Sequence, residues 1–144
     1  MDFSIRADSG EVPRASVWLG EAGAARGIPA DPLSRLDLCL TEALSNVIDH
    51  GGAGTGASPI SLRLAVRSGE SGGEASVTVS DEGVAFDPMT APLRPRPKSL
   101  AEAEPGGMGL IMLRQLADAL DYSYSGGRNR LTIHVRWNHD MDAR

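Results

Sequence analysis

The sequence predicts an α+β fold: a two-layer α/β sandwich whose mixed, mostly antiparallel sheet is covered on one face by helices. Three observations lead there. The elements run strand, helix, helix, two strands, helix, two strands. The strands fall into hairpin pairs rather than strict βαβ repeats. One long helical pattern, Leu33–His50, carries an oily side suited to packing on a sheet and a side bearing Glu42, Asn46 and Asp49.

Each element has a local cause. Asp2–Asp8 alternates Phe3, Ile5 and Ala7 with polar residues, the period of a half-buried strand. Glu11–Arg26 has rough helical apolar markers at Val12, Ala15, Val17, Leu19 and Ala22, weakened by Gly20 and Gly23. Gly27-Ile28-Pro29 ends it. Asp31 is read as the N-cap of the next helix, with Pro32 at the first helical position, where its missing N–H costs nothing. Leu33, Leu36, Leu40, Leu44 and Val47 are expected on one side of this helix, roughly opposite Glu42, Asn46 and Asp49. Gly51-Gly52 stops it, and Gly51–Ser58 reads as a glycine-rich connection. Ile60–Arg67 and Ala75–Ser80 alternate apolar and polar residues around a polar turn at Ser68–Glu74, so they pair as a hairpin. Leu110–Leu120 has a helical face of Leu110, Leu113, Leu116, Ala117 and Leu120. Tyr122–Ser125, a turn at Gly126–Arg130 and a last strand at Leu131–Trp137 complete the pattern.

A chain of 144 residues suits one domain spanning 1–144 around one core. The net charge of −5 and the single lysine, Lys98, argue against a nucleic-acid partner, because phosphate contacts need clustered cations. Cys39 is the only cysteine, so no internal disulfide forms, and three separated histidines have no zinc spacing. No apolar run of about 18 residues predicts a membrane span, and no secretory pattern opens the sequence. A cytoplasmic protein without membrane contact is the expectation.

Three groups of residues have chemical potential. Glu42 and Asn46 lie one helical turn apart: a carboxylate can act as a general base, and an amide oxygen is a hard ligand suited to Mg²⁺. The same pair fits a solvated polar face. Asp81-Glu82-Gly83 ends a strand, where a carboxylate can accept from an exocyclic amine and glycine lets a flat ring approach; it also fits an ordinary turn. Gly106-Gly107-Met108-Gly109 precedes a helix, whose free N–H groups and dipole attract phosphates; it also fits a hinge. No GxxxxGK[ST] is present, which excludes a P-loop, and the glycine run lacks the βαβ setting of a dinucleotide site.

Taken in order, TEALSNVIDHG, VSDEGVAFDP and PGGMGLIMLRQLADALDYS resemble the N, G1 and G2 boxes of the GHKL (Bergerat) ATP-binding fold. More closely, they resemble the small bacterial anti-sigma-factor serine/threonine kinases of the RsbW and SpoIIAB type, and GGRNRLTIHVRW is similar to the closing hairpin of that group. The resemblance covers Phe3 to Trp137. It implies ATP and Mg²⁺ as cofactors, Glu42 as catalytic base, and Asn46 as the Mg²⁺ ligand. Asp49 and His50 match the end of the N box. Asp81 would bind the adenine amine, with Gly83 giving the ring room and Ala85 standing in the same loop. Gly106, Gly107, Met108, Gly109 and Leu110 would wrap the phosphates, and the loop of about 88–105 would be the ATP lid.

Ala85 replaces the second glycine of the usual DxGxG. Glu104-Pro105 precede the G2 glycines, where some relatives carry a basic group. Asn129-Arg130 stand where many larger members have Gly-Thr. The function implied is an anti-sigma factor that phosphorylates a STAS-type antagonist, with a sigma factor as second partner and homodimerisation. The alternatives are an anti-sigma binding module without useful transfer and a related partner-activating switch in stress signalling.

Overall fold

The computed structural model describes residues 1–50, 59–83 and 113–138. Strand β1 (Asp2–Ile5) leads through one 3-10 turn (Ser9–Glu11) into helices α1 (Val12–Ala25) and α2 (Ala30–His50). Strands β2 (Ile60–Ser68), β3 (Gly72–Asp81), β4 (Ala119–Ser125) and β5 (Arg128–Asn138) follow. The sheet order is β1-β2-β3-β5-β4, and all four pairings among these strands are antiparallel. Helix α1 packs on α2 and β1, and α2 packs on β3 and β5. This is the α+β arrangement expected from the hairpins and the helix pair.

β1 is shorter than expected because Asp8 turns the chain: its carboxylate accepts from the Gly10 amide at 3.1 Å. Glu11 follows, buried between two cations. Arg14 donates to it at 2.9 and 3.0 Å and the Arg6 amide at 3.3 Å, and these partners hold its carboxyl below the usual range. Neither glycine breaks α1. A Cβ at Gly23 would meet Leu33 Cδ1 at 2.5 Å, so this glycine lets α1 and α2 approach closely. Gly27 then ends the helix in the left-handed region (φ 83°): its amide reaches Ala24 O at 3.1 Å, and that of Ile28 reaches Gly23 O at 3.0 Å. This doubly bonded stop satisfies carbonyls that α1 leaves open.

Two boundaries differ from expectation. α2 begins at Ala30, which places Asp31 inside the first turn, where its charge suits the dipole, rather than at the cap. The helix expected at Leu110–Leu120 is described only at 113–116, and Ala119 already opens β4. Leu120 fits both the helical period and an alternating strand row with Tyr122, and the strand prevails because Ala119–Ser125 pairs with β5 along its whole length.

One side chain per strand pleat points at the helices. Ile60, Leu62 and Leu64 of β2, Ala75, Val77 and Val79 of β3, and Leu131, Ile133 and Val135 of β5 meet Leu36, Leu40 and Leu44 of α2 in a continuous core. Leu40 is 1% exposed. Its truncation, Leu40→Ala, is expected to cost about 2–5 kcal/mol by urea unfolding.

Candidate active site

The polar side of α2 is not where the periodicity put it. Leu36, Leu40 and Leu44 are buried, but so are Cys39 and Ala43, whose small side chains widen the buried stripe toward Asn46. Asn46 is therefore itself buried, 4% exposed, on the flank of the core face rather than opposite it. Glu42, one turn earlier and about 5–6 Å away at Cβ, is half-buried. Asp49, one further turn along, is exposed. Along this edge of the helix the most buried of the three is thus the middle one, Asn46, and the most exposed is Asp49.

Asn46 has a feature the sequence does not reveal. Both its amide atoms, Oδ1 and Nδ2, are buried without a hydrogen-bond partner among the described residues. An orphaned buried amide costs about 1–3 kcal/mol, so folded proteins rarely keep one without a use. The oxygen is a hard donor of the type Mg²⁺ accepts. Among the described residues, no three His, Cys, Asp or Glu side chains converge on a common point.

Cys39 sits one turn before the site. Burial, with the Glu42 charge adding to it, pushes its thiol up to about 11. The folded state therefore favours the protonated thiol. Its contribution to stability is complete below the ordinary value of 9.0 and fades as pH rises through 11. Native protein is expected to resist iodoacetamide at pH 8, with alkylation appearing only on unfolding, as followed by mass spectrometry.

The second half of the site stands at the end of β3. Its core row, Ala75, Val77 and Val79, terminates in Asp81, a carboxylate 4% exposed on the helix-covered side. Asp81 Oδ1 accepts from the Gly83 amide at 2.8 Å, closing a tight turn. It also accepts from Asn129 Nδ2 at 3.1 Å, from the directly opposed position of β5. Among the described residues both donors reach Oδ1, which leaves Oδ2 as an acceptor for something else. Glu82 turns outward and pairs with Arg128 at 3.3 Å. A groove on the uncovered side of the sheet, lined by Ser61, Thr78, Ser80 and Thr132, lies across the sheet from this carboxylate.

Asn129 was missed because Gly126–Arg130 reads as a turn. The turn is only Gly126-Gly127, both with positive φ (59° and 76°), the two-residue hairpin for which paired glycines are suited. Counting the pleat from that shorter turn puts Asn129 on the core side with Leu131 and Ile133, and it is buried. The signal was the Gly-Gly pair. Asp81 and Gly83 are joined by the Gly83 amide bond to Asp81 Oδ1. Ala85, Gly106, Gly107, Met108, Gly109, Leu110, the lid loop and the His50 side chain lie outside the described residues.

The buried carboxylate at the strand end is suited to an amine, and the helix edge bearing a carboxylate and a buried amide is suited to a cation or a polar group. The model of the histidine kinase-like ATPase domain matches residues 5–135, and the chain belongs to that family. This is the GHKL membership to which its three boxes pointed.

Among its relatives is the serine/threonine-protein kinase BtrW of Bordetella bronchiseptica, 39% identical over 98 residues, which are 68% of this chain and 66% of BtrW. The chain thus matches just under two thirds of that relative. In fold it is similar to the RsbU and RsbW domains of Rv1364c from Mycobacterium tuberculosis, with a TM-score of 0.66, 18% identity, and coverage of 96% of this chain and 33% of that one. It is also similar to the structure of the SiaB–SiaC complex from Pseudomonas aeruginosa, with a TM-score of 0.54, 14% identity, and coverage of 95% and 89%. Among the described residues no helix is long and apolar enough to cross a membrane.

Proposed function

We propose that the chain is a Mg²⁺–ATP-dependent serine/threonine protein kinase that acts as an anti-sigma factor, phosphorylating a STAS-type antagonist. The observation that carries this is Asn46: a buried amide with no partner among the described residues, one turn from a half-buried carboxylate, in a family that uses ATP. The likeness to BtrW, a protein kinase by name, supports transfer to a hydroxyl rather than to water. The SiaB–SiaC and RsbU–RsbW structures support a partner-switching setting. A sigma factor as second partner, a homodimer, a cytoplasmic location and a single domain over 1–144 closed by a lid at about 88–105 belong to the same proposal.

Each residue then has a role. Asp81 accepts the adenine amine, and Gly83 keeps the turn flat enough for the ring. The glycines at 106, 107 and 109, with Met108 and Leu110, surround the phosphates. Asn46 offers its oxygen to the metal, which when bound neutralises charge on the phosphate oxygens. Glu42 orients the substrate hydroxyl and takes its proton as the hydroxyl oxygen bonds to the γ-phosphorus. The bond from that phosphorus to the bridging oxygen breaks, and ADP leaves. Asp49, exposed at the helix end, and His50 are assigned to the margin of this site because they match the end of the N box.

The test is incubation with γ-labelled ATP and candidate STAS proteins from the same genome. Label on a serine or threonine of one of them is the expected result; ATP binding with no labelled protein reduces the chain to a nucleotide-gated binding module. Asn46→Leu gives a separable check. It removes an unsatisfied buried amide, so the ligand-free protein should gain about 1 kcal/mol in urea. The same variant should lose the Mg²⁺ dependence of ATP binding.

A further inference from the structure

Asn129 is a built feature of the site that the family boxes leave without a role. Among the described residues its side chain makes contacts that use both ends of the amide. Nδ2 donates to Asp81 Oδ1 at 3.1 Å and to Gly83 O at 3.3 Å, and Oδ1 accepts from the Tyr122 hydroxyl. These contacts fix the amide's orientation. Turned over, its oxygen would face a carboxylate oxygen and a carbonyl oxygen with no proton between them, and its NH₂ would meet the hydroxyl of Tyr122. Both placements follow from strand register: Asn129 opposes Asp81 across β3–β5, and Tyr122 opposes Leu131 across β4–β5, within reach of the same end of the sheet.

We propose that Asn129, oriented by Tyr122, is a positioning residue that sets the Asp81 carboxylate for nucleobase selection: it favours a 6-amino purine over a 6-oxo purine. The inference rests on the reading of Asp81 as the adenine contact. With Asn129 and the Gly83 amide both donating to Oδ1, the carboxylate cannot rotate freely, and Oδ2 is presented as a fixed acceptor. An amine donates to it. A 6-oxo group brings a second acceptor to the same point and is repelled. The bond to Gly83 O also ties the carboxylate to the glycine turn, so the acceptor and the flat approach of the ring are set by one side chain. Without this clamp the carboxylate can swing and admit a bridging water, which serves either base.

The experiment is calorimetric titration of the full chain with ATP and with inosine triphosphate, which differ in the 6-position of the base, both with Mg²⁺. Wild type, Asn129→Ala and Tyr122→Phe are compared, with melting temperature measured in parallel. Wild type should prefer ATP by at least about tenfold, the scale of one charge-assisted hydrogen bond. Asn129→Ala should bring that ratio down by about tenfold, and Tyr122→Phe by a smaller factor in the same direction. If both nucleotides weaken equally in the variants and the ratio stays at the wild-type value, Asn129 only supports the fold and the proposal is overturned. A wild type that binds both nucleotides equally overturns the adenine role of Asp81 itself, and this proposal with it. Should Asn129→Ala not fold, Tyr122→Phe, altered only by one hydroxyl on the edge strand, decides the matter alone.

Discussion

Replacing Glu42 with alanine is expected to lower the rate of phosphoryl transfer by about 10²–10⁴-fold, the usual contribution of a positioned general base, with ATP affinity close to wild type. The separation follows from where Glu42 stands. It is half-buried on α2, one turn from Asn46, and belongs to a different element from the Asp81 turn that would hold the base of the nucleotide. Its removal takes away a proton acceptor and leaves the adenine contact intact. Glu42→Gln should behave similarly, since the amide keeps the shape but cannot take the proton. Single-turnover transfer from γ-labelled ATP and a binding titration on the same preparations check the two halves. Transfer persisting at the wild-type rate would remove Glu42 from the chemistry and leave it as a lining residue.

Asp81→Asn is expected to weaken ATP binding by about 1.5–3 kcal/mol. Asp81 is 4% exposed, and Oδ1 is occupied by the Gly83 amide and Asn129. An asparagine there keeps its oxygen on those two donors, which turns its NH₂ toward the ligand. The adenine amine then meets a donor where it needs an acceptor. The effect is thus a reversal of polarity at one atom, not the loss of a side chain, and the fold is expected to persist. Unchanged affinity by calorimetry would reject the adenine role.

Much of the architecture was legible because it rests on short-range periodicity. The alternation of Ile60, Leu62 and Leu64, and of Leu131, Ile133 and Val135, marks core rows directly, and the structure buries all six. The helix α2 was legible from its leucines. Its polar edge was misplaced because the leucines alone locate the buried stripe too far round; Cys39 and Ala43 contribute little hydrophobic area yet lie inside it. Residues near a strand–helix boundary were legible only in part. Leu120 serves two periods equally well, and only its pairing with Ile133 decides between them.

What the sequence could not show is register between distant strands. Asp81 and Asn129 are 48 residues apart, and nothing local says that they oppose one another. Their contact depends on the Gly126-Gly127 turn being two residues long, since a one-residue slip would move Asn129 to the open face. The orphaned state of Asn46 was equally hidden, because a missing partner is a property of the packed core and not of the residue. The family resemblance supplied Glu42, Asn46 and Asp81 as site residues; the structure supplies the reason that Asp81 has one oxygen to spare.

The central claim is that α2 and the end of β3 form one Mg²⁺-dependent ATP site. The direct measurement is calorimetric titration of the chain with ATP, in Mg²⁺ and again with the metal chelated. One site per chain that weakens markedly on chelation is the predicted result, with Asn46→Leu reproducing the weakened curve in the presence of Mg²⁺. The absence of binding, or binding indifferent to both the metal and Asn46, would contradict it.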